Sequence, residues 1–240
     1  MKKILATSAL ALTALAGAPA LADSWDQKSG YSWPSTPISS PAATHSGLSF
    51  GAGPVTTATT TYDYMRRDGG LREHGMRFTL EGDYDTFFYE TNLMRYGVGN
   101  TAARGADFRA GYRVFSMFNV QGQYETNRIG NNSGDRFMVG VGTDVSLDSF
   151  DFGARVLTDT SELAKDWQVV MTGEYGLSRS LDLVGEFQHD RFDNASNTNT
   201  IEGGARWHIS NGAFVDGRLR AQRTGGNTDT GASIGLGFSF

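Results

Sequence analysis

The residues best suited to chemistry lie on one predicted hairpin. A turn at Ser210–Gly212 that pairs Ile209 with Ala213 sets Arg206 opposite Asp216 and Glu202 opposite Arg220, with Arg218 facing Gly204. All of them share one face, because side chains alternate along a strand. Opposite charges directly across a hairpin attract, and like charges there repel. A register chosen from the turn alone therefore gives two complementary ion pairs. By the same parity Arg77, Arg109, Arg113, Arg136 and Arg155 extend the basic set, and Glu81, Glu90, Glu125, Asp144, Asp151, Glu174, Asp182 and Glu186 the acidic one. Around a watery passage, such groups set up a transverse field that sorts small polar solutes by charge and size. Around a filled interior, they pair off and serve as a structural core.

Other chemistry is thin. Asp193, Asn194, Asn197 and Asn199 supply oxygens for a calcium ion, but their spacing departs from the EF-hand loop, and solvated turn residues are the better reading. Asn131-Asn132-Ser133 and Asn194-Ala195-Ser196 match glycosylation sequons. The Gly-x-Gly pairs have strand period and precede no helix, so no phosphate cradle is expected. Neither a metal nor a cofactor is expected.

The elements that must carry these residues are strands. From Val55 onward the periodicity predicts twelve, over 55–65, 74–84, 86–96, 105–114, 117–127, 135–146, 149–158, 166–177, 181–191, 199–209, 213–223 and 230–240, with ten to fourteen compatible. Each is close to the length that crosses a bilayer at a tilt. Phe118, Val120 and Tyr124 alternate with Asn119, Gln121, Gln123 and Glu125; Ile201, Ala205 and Trp207 alternate with Glu202, Gly204, Arg206 and His208. Five connections read as tight, around 83–85, 115–116, 147–148, 178–180 and 210–212. The others, at 66–70, 97–104, 128–134, 159–165, 192–198 and 224–228, read as longer. Inward Gly111, Gly140, Gly142, Gly153, Gly204, Gly235 and Gly237 are expected to leave space, and Phe88, Met94 and Met138 to take some back.

The chain ends on Ala232, Ile234, Leu236, Phe238 and Phe240 alternating with Ser233, Gly235, Gly237 and Ser239. A strand of this kind, finishing flush on an aromatic residue, resembles the closing strand of the bacterial outer-membrane β-barrel superfamily. The resemblance covers roughly residues 55–240. It implies an all-β fold, a transmembrane antiparallel up-and-down β-barrel of about 12 strands (10–14) with short periplasmic turns. It also implies that Ile234, Leu236, Phe238 and Phe240 form the insertion signal read by the barrel-assembly machinery, with outer-membrane lipid as surroundings. Barrel enzymes of that membrane place histidine with Ser or Asp near the outer rim. Here His45 is in the tail, His208 is near the periplasmic end and His189 faces outward. His74 and Asp190 reach the rim without recognisable nucleophile or base spacing, so no catalytic residue is assigned.

Composition agrees with export to a membrane. Lys2 and Lys3 precede an apolar run from Ile4 to about Ala16, and Ala20-Leu21-Ala22 fits a small-x-small cleavage site. Residues 1–22 are read as a cleaved signal peptide. Residues 23–54, with Pro34, Pro37, Pro41 and Pro54, are read as a periplasmic tail or a segment inside the barrel. Of 21 Lys and Arg residues, 19 remain after the leader against 26 acidic ones, a net charge of 19 − 26 = −7 that argues against nucleic acid. Mean hydropathy is −0.35, as expected where only alternate residues meet lipid.

The first expectation is a monomeric, narrow outer-membrane channel for small hydrophilic solutes, filtered by Arg77, Arg109, Arg113, Arg136, Arg155, Glu174, Glu186, Glu202, Arg206, Asp216, Arg218 and Arg220. A closed barrel acting through its loops or tail is the second, and a lipase or protease at the rim the third. Deleting Phe240 should impair membrane insertion, read as loss of the heat-modifiable folded band on gels. Normal assembly without it would count against the terminal strand as the signal.

Overall fold

In hydrocarbon an unpaired backbone N–H or C=O costs several kcal/mol, so strands can cross only if their sheet closes on itself. The computed structural model of the chain shows this solution. It describes residues 55–240 apart from 69, 85, 99–100, 116, 131, 162–164, 194 and 211, so the expected leader and tail, His45, Asn131 and Asn194 lie outside the described residues. The strands are β1 (Val55–Arg66), β2 (Arg72–Tyr84), β3 (Phe87–Val98), β4 (Thr101–Arg113), β5 (Phe118–Ile129), β6 (Asn132–Leu147), β7 (Phe150–Asp159), β8 (Trp167–Ser178), β9 (Leu181–Arg191), β10 (Thr198–His208), β11 (Ala213–Thr224) and β12 (Asn227–Ser239). Each pairs antiparallel with its neighbours in sequence, and β12 pairs with β1 to close the barrel. At the seam Thr56 and Phe240 exchange two backbone hydrogen bonds, 3.0 and 2.9 Å. Just inside it the hydroxyls of Thr57 and Ser239 meet at 2.9 Å.

Alternation sets the two faces. Outward side chains are large, apolar and exposed all round the barrel, with Leu219 71%, Leu236 64% and Phe240 69% accessible. Inward ones are mostly polar and buried. A water-soluble sandwich would have this reversed, and an unbroken apolar exterior of this extent calls for lipid. The fold class is therefore the expected one, with the expected twelve strands.

The connections differ from expectation at one end. Stretches 97–104, 128–134 and 224–228, read as longer loops, are largely strand: β3 runs to Val98 and β4 starts at Thr101, β5 to Ile129 and β6 at Asn132, β11 to Thr224 and β12 at Asn227. Only two residues are left between each of these strand pairs, and hairpins that short need left-handed backbone. Gly130 and Gly225 supply it, at φ 58° and 64°. Only the connections after β1, β7 and β9 remain longer, so the contrast in loop length between the two ends is weaker than the sequence suggests.

Ile234 sits midway along β12 on the lipid-facing side. Ile234→Arg should destabilise the folded barrel by about 2–4 kcal/mol, measured by reversible urea unfolding in phosphatidylcholine vesicles. An unchanged midpoint would overturn the lipid-facing assignment.

Candidate functional site

The hairpin β10–β11 has the register inferred from its turn: Glu202 faces Arg220, Gly204 faces Arg218, and Arg206 faces Asp216. Strand β9 adds Glu186 beside Glu202 and Asp182 beside Arg206. From this grid a chain of charges grows. The Arg206 guanidinium donates to Glu174 at 3.1 Å and to Asp216 at 3.3 Å. Arg218 donates to the same Asp216 at 2.6 Å and to Glu202 at 3.3 Å. Arg220 holds the other oxygen of Glu202 at 2.5 Å. Gly204 is needed here, because a Cβ would stand only 2.9 Å from Arg218 Cγ. The Arg206 guanidinium also lies 4.8 Å from the Phe214 ring centroid, a cation–π contact beneath the ladder.

The opposite wall is built on the same plan. Arg109 donates to Glu90 at 2.7 Å and to Gln121 at 3.2 Å. Arg113 grips Asp83 with two parallel bonds of 2.7 Å, the fork geometry in which guanidinium and carboxylate fit best. Both guanidinium groups lie against one ring, Phe88, at 5.3 and 5.4 Å. Arg136 meets Glu125 at 2.8 Å and Arg77 meets Asp63 at 2.8 Å. Near the tight turns His208 Nε2 is 2.5 Å from Asp182. Among these groups Glu186 stands apart. It is 5% exposed, and neither of its oxygens accepts a hydrogen bond among the described residues.

A cavity of about 100 Å³ opens between these walls on the side of the tight turns. Its lining includes Glu81, Glu90, Arg109, Arg113, Asp144, Asp151 and Arg155. The glycines make less room than expected. A Cβ on Gly111 would stand 2.6 Å from Phe88 Cε1, and one on Gly142 2.6 Å from Gln121 Nε2. Neighbouring strands' side chains lean into the space that those glycines vacate.

All twelve charged residues assigned to the lining share the inward face. Sequence reading missed further inward acids: Asp63, Glu73, Asp83, Asp107, Asp159 and Asp229. It also missed inward Leu157, Val170, Val184 and Phe214, all buried. Strand parity alone could have found every one. Counted together, carboxylates outnumber guanidinium groups on this face. The catalytic candidates separate: His74 points outward on β2, while Asp190 points inward on β9 and accepts from Gln168 at 2.8 Å and Gln188 at 2.6 Å. His189 also faces outward, bonded to Asn199 at 2.8 Å. Two of the calcium candidates have other partners, Asn199 with His189 at 2.8 Å and Asn197 with the Phe192 amide at 3.4 Å.

A closed, up-and-down, all-antiparallel barrel with an apolar exterior and an ionic interior is the fold of a transmembrane β-barrel. Solved structures with this fold include the KdgM porin in complex with disordered oligogalacturonate, 11% identical, covering 76% of this chain and 99% of that one, with a TM-score of 0.53. The NanC porin is similar at 11% identity, over 75% of this chain and 98% of that one, with a TM-score of 0.54. So is an outer-membrane channel from Pseudomonas putida F1, at 10% identity over 84% and 100%, with a TM-score of 0.54. At such identities the likeness is one of fold. No protein-family model and no curated protein matches the chain in sequence.

Arg206 is 2% exposed and bridges two carboxylates. Arg206→Met should cost about 3–5 kcal/mol, because Glu174 loses its buried partner while Asp216 keeps only Arg218, and adding Glu174→Gln should recover part of that loss. Urea unfolding in detergent micelles reads both; no loss in the single variant would overturn the ladder as a structural unit.

Proposed function

We propose that the chain is a narrow outer-membrane channel for small hydrophilic solutes, with the twelve inward arginine and acid residues as its filter and a preference for cations. The carrying observation is the surplus of carboxylates on the inward face, several of them around the cavity. Buried ion pairs are no more stabilising than a well-packed apolar core of the same volume. A lining this charged is therefore better explained by polar traffic than by stability. Its surplus of negative charge attracts small cations and repels anions. In this reading residues 1–22 are removed on export, and residues 23–54 remain as a periplasmic tail. The barrel-assembly machinery reads Ile234, Leu236, Phe238 and Phe240, and the barrel works as a monomer. No catalytic role is proposed, since His74 and Asp190 lie on opposite faces.

A closed barrel is the second reading. It is favoured by apolar packing in the interior, where Leu157 on β7 and Val170 on β8 are 0% exposed. Planar-bilayer recordings under a KCl gradient separate the two. Discrete conductance steps with a cation-side reversal potential are expected. Asp144→Asn combined with Asp151→Asn should keep the steps and shift the reversal potential towards zero. Absence of steps, in the full protein and in a form lacking residues 23–54, would overturn the channel in favour of the closed barrel.

A further inference from the structure

Three arginines stand in one row on the outside of the barrel. Arg95 on β3 faces Arg104 on β4, and Arg104 faces Arg128 on β5. All three point outward and are exposed. Like charges directly opposed across strands, with Cβ atoms about 4.5–5.5 Å apart, repel. Among the described residues none of the three has an ion pair or hydrogen bond. The row is flanked by Met76 on one side and Ser133 on the other, so no carboxylate stands in register with it. The nearest outward acid on that side, Asp135, faces Thr126 instead.

Position adds a second constraint. The row lies at the end of the barrel opposite Phe240. One step towards the middle on β3, Leu93 is exposed at 51% on the same face. The guanidinium groups therefore border the apolar band, where lipid headgroups would sit. A second opposed pair, Arg66 and Arg72, lies at the same end on β1 and β2. At the other end the corresponding outward positions carry aromatic rings.

We propose that Arg95, Arg104 and Arg128 form a binding site for a phosphorylated lipid headgroup in the leaflet on the side of the longer loops. Guanidinium forks match phosphate oxygens two at a time, and an anion shared by the three removes their mutual repulsion. An amphiphile fits better than a free anion, because its acyl chains would lie on Leu93 and its neighbours while its phosphates reach the row. The inference rests on the barrel spanning the membrane and is independent of whether the interior conducts.

The test uses the full folded protein in zwitterionic micelles, with native mass spectrometry counting bound molecules of bisphosphorylated lipid A. Wild type should retain the lipid. The triple variant Arg95→Gln, Arg104→Gln, Arg128→Gln should bind it at least about tenfold more weakly. A control, Arg191→Gln with Arg223→Gln, removes charge from the same end without touching the row and should change binding less than about twofold. Without lipid, the triple variant should be at least as heat-stable as wild type, since only repulsion has been removed. Equal binding by the triple variant, equal loss in the control, or full displacement of the lipid by millimolar inorganic phosphate would each overturn the proposal.

Discussion

A peptide group in hydrocarbon has no water to bond. Every strand in the membrane must therefore find a partner on both sides, and the two bonds between Thr56 and Phe240 let the first and last strands satisfy this together. Once the sheet is a ring, the side chains of the membrane-crossing strands divide into an outward apolar set and an inward set whose members meet one another. The outward rows of Ile234, Leu236 and Phe238 and the inward rows of Ser233, Gly235 and Gly237 are two consequences of that one closure.

The interior that results follows electrostatic rules rather than those of a hydrophobic core. Few of its carboxylates stand alone. Asp216 is shared by Arg206 and Arg218, and Glu202 by Arg218 and Arg220, so each ion helps to hold the next in place. Aromatic rings act as shelves rather than filler, Phe88 beneath Arg109 and Arg113 and Phe214 beneath Arg206. Among the described residues Glu186 has no donor, and it stands beside Glu202, whose oxygens are already taken.

Much of this was legible in the chain, for identifiable reasons. A tight turn fixes the register of a hairpin, so the partners across β10 and β11 could be named from Ser210–Gly212. Strand parity puts a whole row on one face, so the inward arginines could be named too. Contacts between strands far apart in sequence were not legible. Nothing in the order of residues says that Arg206 on β10 reaches Glu174 on β8, or that the ring of Phe88 fills the gap at Gly111. The turns were misread for a different reason. Gly130 and Gly225 serve equally well in a loose loop or a two-residue hairpin, and only the continuing ladder distinguishes them.

Those short hairpins leave the barrel with an uneven skyline. On the side away from Phe240, three of the six connections barely rise above the strands they join. Two of the taller ones, after β7 and β9, lean together: the Asp193 amide donates to Asp166 at 2.7 Å, and Lys165 approaches Asp193 at 3.7 Å. A large visitor arriving from that direction, whether protease, antibody or virus, would find most of its handholds on a single sector of the circumference.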